Sequence, residues 1–287
     1  MEWATLEWAT VQQALGTLRP VKGGFSNARR GIVTLPNGST AFVKLATDAR
    51  TAAWIDVEKK AYRWLEEMGY RHAPRLLSQG EDGFALADLS SCDWSHTWDD
   101  TKVDAMLTAL DDLARVPTIG TDFAPITFRE NPWNELPDDA QPYRAFLSAE
   151  PLQAVTALLQ DGALRHQYSA VAAAEPWRGD RLVHYDVRSD NFAYDRLAGV
   201  GYLVDWDWIG LGNEAFDRTG LLVNVQLAGY DVLATHCERL DKASLIWLLG
   251  FWLKSAVGPR DTEGLRQLRP QQVLSALEAY RLIQRLS

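Results

Sequence analysis

Three oxygen-bearing side chains lie near one another in the sequence, each just past an apolar run. In LVHYDVRSDNFAY, strand-like Leu182–Tyr185 delivers Asp186, and Asn191 follows five residues later. After a Gly-containing turn, VGYLVDWDW carries Asp205 at the end of Val200–Val204. A carboxylate beside a hydroxyl can accept its proton late in a reaction. An amide oxygen with a second carboxylate suits Mg²⁺, which takes a few hard oxygen ligands and keeps its waters. Together these are the equipment of in-line phosphoryl transfer, in which a metal neutralises phosphate charge. Taken singly, an HxD triplet or a DWDW strand end with buried tryptophans carries little. The order and the spacing carry the argument.

At these residues the chain resembles the aminoglycoside phosphotransferase/choline kinase group of small-molecule kinases. That group's catalytic loop has the form H-x-D-x-x-x-x-N, matched by His184, Asp186 and Asn191, and its metal-binding strand end reads D-x-D/E, matched by Asp205 and Asp207. The resemblance implies Asp186 as catalytic base and Asn191 and Asp205 as Mg²⁺ ligands. Asp207 then helps through water or anchors the loop, and Arg188 is the cation near the transferring phosphate. His184 is expected to hold the loop by hydrogen bonds. Nearer the N-terminus, Lys44 in Phe42-Val43-Lys44 falls where the family's phosphate-binding lysine belongs, and Glu58 fourteen positions later is suited to pair with it.

The same resemblance makes Gly23-Gly24-Phe25-Ser26-Asn27 the loop over the phosphates, where missing side chains let backbone N–H groups approach oxygen. The stretch departs from GxGxxG and is not a Walker A motif. Backbone groups near Ala87 and Leu89 are expected to bind adenine. Asp217 stands where the family has a loop-closing acid, with helix capping as the competing reading. The implied fold is α+β and protein-kinase-like: a β-rich, nucleotide-binding N-lobe over residues 1–88, a mainly helical catalytic and acceptor-binding C-lobe over 89–287, and ATP between them.

The elements that must position these residues are legible in part. Residues 2–16 read as a helix. Gly31–Leu35 and Ala41–Leu45 flank Pro36-Asn37-Gly38 as a hairpin. Thr51–Met68 carries Ala53, Val57, Ala61 and Leu65 at helical spacing. Arg75–Ser78 and Phe84–Leu89 read as strands. Helices are expected over 97–115, 141–148, 151–173, 214–240, 242–256 and 270–286, with a Pro-rich loop over 116–140 and a β island over 181–207.

Composition excludes several classes. The 287 residues are 47% hydrophobic and 23% charged, with 20 Gly and 12 Pro, unlike a disordered or collagenous chain. Twelve tryptophans spread along the chain read as core filler, not as one binding strip. A net charge of −9 lacks the basic footprint of a nucleic-acid binder. Residues 1–88 are net +1 and the remainder net −10, so the acidity belongs to the second part. Cys92 and Cys237 form no CxxC, which suits a reducing compartment. The N-terminus lacks a signal-peptide pattern, and the apolar run Ser244–Leu253 is too short to span a bilayer. The expectation is a cytoplasmic enzyme with no nucleic-acid or membrane partner, phosphorylating a small hydroxylated acceptor. An aminoglycoside-like antibiotic leads, and choline-, homoserine- and sugar-type acceptors remain open. The long activation segment and APE-type anchor of a protein kinase are missing. The sequence does not separate ATP from GTP, or a working enzyme from a kinase-like binding protein without turnover.

Overall fold

The computed structural model describes residues 6–21, 26–95, 97–128, 130–259 and 263–286. In chain order its first elements are α1 (Trp8–Ala14), β1 (Arg19–Pro20), β2 (Arg29–Thr34), β3 (Thr40–Leu45), α2 (Ala49–Glu67), β4 (Leu76–Gln79), β5 (Gly83–Ala87) and α3 (Asp100–Arg115). Then come α4 (Ala149–Gln160), α5 (Gly162–Ala172), β6 (Arg181–Val183), β7 (Phe192–Asp195), β8 (Val200–Leu203) and β9 (Gly210–Gly212). The chain ends with α6 (Glu214–Leu227), α7 (Val232–Thr235), α8 (Lys242–Val257) and α9 (Glu263–Arg285).

These elements pack as two compact units. The first draws on residues 1–96, 100–123 and 182–210, and the second on 97–99, 124–181 and 211–287. The stretch expected as an N-lobe falls whole within the first unit, and the strands that carry the candidate catalytic residues pack with it.

The first unit is built on an antiparallel sheet of order β1-β2-β3-β5-β4. Val33, Leu35, Ala41, Val43 and Ala85 meet Val11 and Ala14 of α1 in one core. Two glycines are required by close approach. A Cβ on Gly31 would lie 2.4 Å from the Arg19 carbonyl oxygen, and one on Gly83 would lie 2.4 Å from that of Lys44. Helix α2 starts on a capping box: Asp48 accepts from the Thr51 N–H at 2.7 Å, and the Thr51 hydroxyl accepts from the Asp48 N–H at 3.0 Å. Its buried face runs Thr51, Ile55, Glu58, Ala61, Tyr62, Leu65. That face is rotated from the expected one: Ala53 is exposed, because bulkier Ile55 and Tyr62 take the core positions and bring Glu58 with them.

In the second unit Phe128, Trp177, Phe216, Trp247 and Phe251 form an aromatic cluster, with Phe128 and Trp247 ring centroids 4.4 Å apart. Several expected helices are shorter or divided. The span 141–148 holds only a 3₁₀ turn over Gln141–Tyr143, opened by Pro142. The span 151–173 breaks at Asp161, whose carboxylate accepts from the Leu164 N–H and caps α5. Helix α6 stops before Gly229, which adopts φ 97°, and Asp231 then caps α7. By contrast, α9 begins before Pro270 and runs through it. The lost N–H bond is offset by packing of Val273, Ala276, Leu277 and Ile283 in the core. Among the described residues, no helix is long and apolar enough to cross a membrane.

Candidate active site

Strand β6 leads into the loop of Asp186 through Tyr185, held at φ 64°, an uncommon backbone for a non-glycine residue. His184 fixes this loop from inside. Its Nε2–H donates to the Val204 carbonyl at 2.9 Å, and its Nδ1 accepts from the Asp186 N–H at 3.3 Å. The ring packs on Trp206 with centroids 4.4 Å apart. Complete burial pushes the imidazole pKa down to about 4, the hydrogen bond to Val204 only partly opposing it. The histidine is therefore a neutral strut.

Asp186 is gripped by Asn191, whose side-chain N–H groups donate to its carbonyl at 2.9 Å and to its carboxylate at 3.0 Å. Arg188 lies 3.2 Å from the same carboxylate and reaches Asp190 at 3.2 Å. Burial raises the Asp186 pKa, with Asp205 and Asp190 adding to it, against Arg188 and the Asn191 hydrogen bond.

The β7–β8 hairpin sets the other side of the site. Phe192 pairs with Leu203, so the residues just beyond meet: the Val204 N–H donates to the Asn191 carbonyl at 3.0 Å. Asp205 follows at φ 66°. The hairpin is tied to residues 70–72, because the Leu203 N–H donates to the His72 carbonyl at 2.7 Å and His72 Nδ1 donates to the Gly201 carbonyl at 2.9 Å.

Lys44, on β3, contacts both Glu58 of α2 and Asp205, the latter at 2.5 Å. Burial alone would lower the lysine pKa, yet the two carboxylates outweigh it and hold the ammonium well above its ordinary value. Burial pushes Glu58 up, against the pull of Lys44, and that direction opposes an ionic pair. The Lys44 ammonium is nonetheless in contact with two carboxylates, so its charge is compensated and retained. Burial also raises Asp205, but Lys44, Arg188 and Arg30 together hold it below the usual carboxylate range.

A cavity of about 590 Å³ opens beside Lys44, with every lining residue drawn from the first unit. Ile32, Phe42 and Leu86 give it apolar walls, and Ala87, Leu89, Asn191 and Asp205 border it. The Ala87 N–H is engaged by the Arg75 carbonyl, and the Leu89 carbonyl accepts from the Trp94 indole at 2.9 Å.

Among the described residues, no three acidic, histidine or cysteine side chains are grouped to hold a metal by themselves. The donor set is instead the Asn191 amide oxygen, left over once its N–H groups serve Asp186, and the Asp205 carboxylate. Burial and the charge of Asp205 push Asp207 up to about 7. Hard oxygens crowded with negative charge fit Mg²⁺, which would complete its shell with phosphate and water.

The structure thus gathers Asp186, Arg188, Asn191, Asp205, Lys44 and Glu58 around one site, with Ala87 and Leu89 at its cavity. Gly23 and Gly24 lie outside the described residues. Of the same loop, Ser26 accepts hydrogen bonds from Arg30, and the Asn27 carbonyl accepts from Thr47 at 3.0 Å. Asp217 is not the cap of α6; Asn213 fills that place by accepting from the Ala215 N–H, and Asp217 is buried in the first turn. Arg30 escapes a motif-based reading. The signal for it is the hairpin register, which pairs it with Lys44.

Comparison with known proteins places this geometry. The sequence profile of the phosphotransferase enzyme family matches residues 17–240. An aminoglycoside phosphotransferase from Alicyclobacillus acidocaldarius superposes with a TM-score of 0.60 at 14% identity, over 99% of this chain and 97% of its own. Choline kinase LicA from Streptococcus pneumoniae gives 0.57 at 14% identity, over 93% and 96%. A Plasmodium vivax ethanolamine kinase gives 0.53 at 12% identity, over 93% and 83%. LicA has also been solved with AMP, and aminoglycoside phosphotransferases of the same fold with ADP and with GDP. No curated protein matches the chain. The likeness establishes an α+β, protein-kinase-like fold.

Proposed function

The chain belongs to the phosphotransferase enzyme family, and from that premise we propose that it transfers the terminal phosphoryl group of ATP to a hydroxyl of a small cationic molecule. The observation that carries this reading is the convergence of Asp186, Asn191 and Asp205 at the end of one hairpin, with Asp205 in contact with the Lys44–Glu58 pair.

In this reading the acceptor hydroxyl lies against the Asp186 carboxylate. Its oxygen attacks the terminal phosphorus as the bond to the bridging oxygen breaks, ADP leaves, and Asp186 takes the hydroxyl proton. Asn191 aims that carboxylate, and Arg188 balances its charge while facing the transferred group. Lys44 holds the nucleotide phosphates, and Glu58 keeps its ammonium in place. Ser26, Asn27 and the glycines before them cover the phosphates, and the chain around Ala87 and Leu89 receives the base. Mg²⁺ bound by Asn191 and Asp205, with Asp207 nearby, supplies charge neutralisation on the phosphates. Complexes of similar folds with AMP, ADP and GDP support a nucleotide in the cavity and keep GTP open as donor.

The acceptor class follows from two supports. Choline, ethanolamine and aminoglycosides, named in the structural relatives, all join a hydroxyl to a positively charged nitrogen. Residues 89–287 carry net −10, which favours such a cation. The test is a panel of hydroxylated amines, sugars and antibiotics assayed for ATP and GTP consumption with Mg²⁺. An acceptor-dependent rate is expected from the parent and not from Asp186→Asn. Nucleotide binding with no turnover on any acceptor would instead favour a kinase-like binding protein.

A further inference from the structure

The sheet carries a second cation beside Lys44. Arg30 on β2 stands directly across from Lys44 on β3 in the antiparallel register, and both line the same cavity. Like charges directly opposite on one sheet face are unfavourable unless negative charge compensates them. Lys44 has that compensation in Glu58 and Asp205. Among the described residues, Arg30 donates only to neutral oxygens: the Ser26 carbonyl at 2.6 Å, the Ser26 hydroxyl at 2.9 Å and the Ala28 carbonyl at 3.4 Å.

An arginine suits a double task. Its planar fork presents five donors, so one edge can hold a loop while another meets a phosphate. We propose that Arg30 is a polyphosphate-binding residue, whose guanidinium contacts the nucleotide's phosphate chain while staying tied to Ser26. The nucleotide's phosphates would add negative charge beside Arg30, whose nearby carboxylate, Asp205, is already in contact with Lys44. The phosphates and Ser26 are coupled through one side chain. This inference rests on the reading of the cavity as a nucleotide site.

The experiment is calorimetric binding of adenosine, AMP, ADP and ATP, with the guanine series in parallel, to the parent, Arg30→Gln and Arg30→Lys. Arg30→Gln should weaken ADP and ATP by about 10- to 100-fold, the loss of one charge-assisted hydrogen-bonding group. Adenosine affinity should stay within about twofold, because a base and sugar offer Arg30 no charge. Arg30→Lys should fall between, retaining charge without the fork, and it keeps the comparison available if the glutamine variant does not fold. Equal loss of adenosine and ATP would make Arg30 only a loop-holding residue and overturn the proposal. So would parental ATP affinity in Arg30→Gln. A parent that binds no purine nucleotide overturns the cavity assignment as well, an outcome distinct from failure at Arg30 alone.

Discussion

Lys44 is buried between Glu58 and Asp205, so removing any one of the three leaves charge uncompensated where water is scarce. Lys44→Ala strands two carboxylates, whereas Glu58→Ala leaves the lysine with Asp205. The lysine variant should therefore lose more nucleotide affinity, and the double variant should lose less than the sum. A coupling of about 1–3 kcal/mol is expected from a double-mutant cycle on nucleotide binding; additive effects would mean that the two side chains do not act together. His184 makes a separate prediction. Its folded pKa of about 4 lies below the ordinary value, so the folded state binds fewer protons than the unfolded chain. Its contribution to stability is complete above about pH 6.5 and is lost as pH falls toward 4. Urea melts across that window should show declining stability, and His184→Gln should flatten the slope whatever its overall cost. An unchanged slope would put the titration elsewhere.

At the scale of elements, the site depends on strands passing close to one another. Gly83 lets β5 run against the backbone of Lys44, where an added Cβ would come within 2.4 Å of a carbonyl oxygen. Neither strand can yield without disturbing the register that aims Lys44 inward. Gly83→Ala should cost about 1–3 kcal/mol, the usual range for overpacking, and should weaken nucleotide binding together with stability. A fully stable variant with normal binding would show that the sheet relaxes freely. The elements also show what a sequence can and cannot reveal. Asp186, Asn191 and Asp205 are legible because one short hairpin gathers them, and local spacing encodes a hairpin. The contact of Lys44 with Asp205 spans 161 positions and is set by packing, which no spacing records. In α2, apolar periodicity alone points to Ala53 and Val57. The observed face instead follows side-chain volume and the ion pair, which carries Glu58 inward. The break at Asp161-Gly162 had a legible signal, since Asp-Gly marks turns, but the apolar pattern on either side runs over it.

At the scale of the whole molecule, charge is divided unevenly along the chain: residues 1–88 are net +1 and residues 89–287 net −10. Nucleotide phosphates gain nothing from that acidity. A cation does, because the summed field of many carboxylates raises its local concentration and its rate of encounter. The competing account is that these acids are solvated helix faces that promote solubility, and the two accounts separate on salt dependence. For a polycationic acceptor, kcat/KM should fall steeply as salt rises, since the screening length contracts to about 8 Å at physiological ionic strength. For a neutral hydroxylated acceptor of similar size, the profile should stay nearly flat. Measuring kcat separately guards against a general salt effect on the chemistry, because steering acts on encounter and leaves turnover of the bound complex unchanged. If neutral acceptors proved the more efficient substrates with flat profiles, the cationic acceptor would be eliminated. The phosphotransfer proposed for Asp186, Asn191 and Asp205 would then be directed at a different hydroxyl.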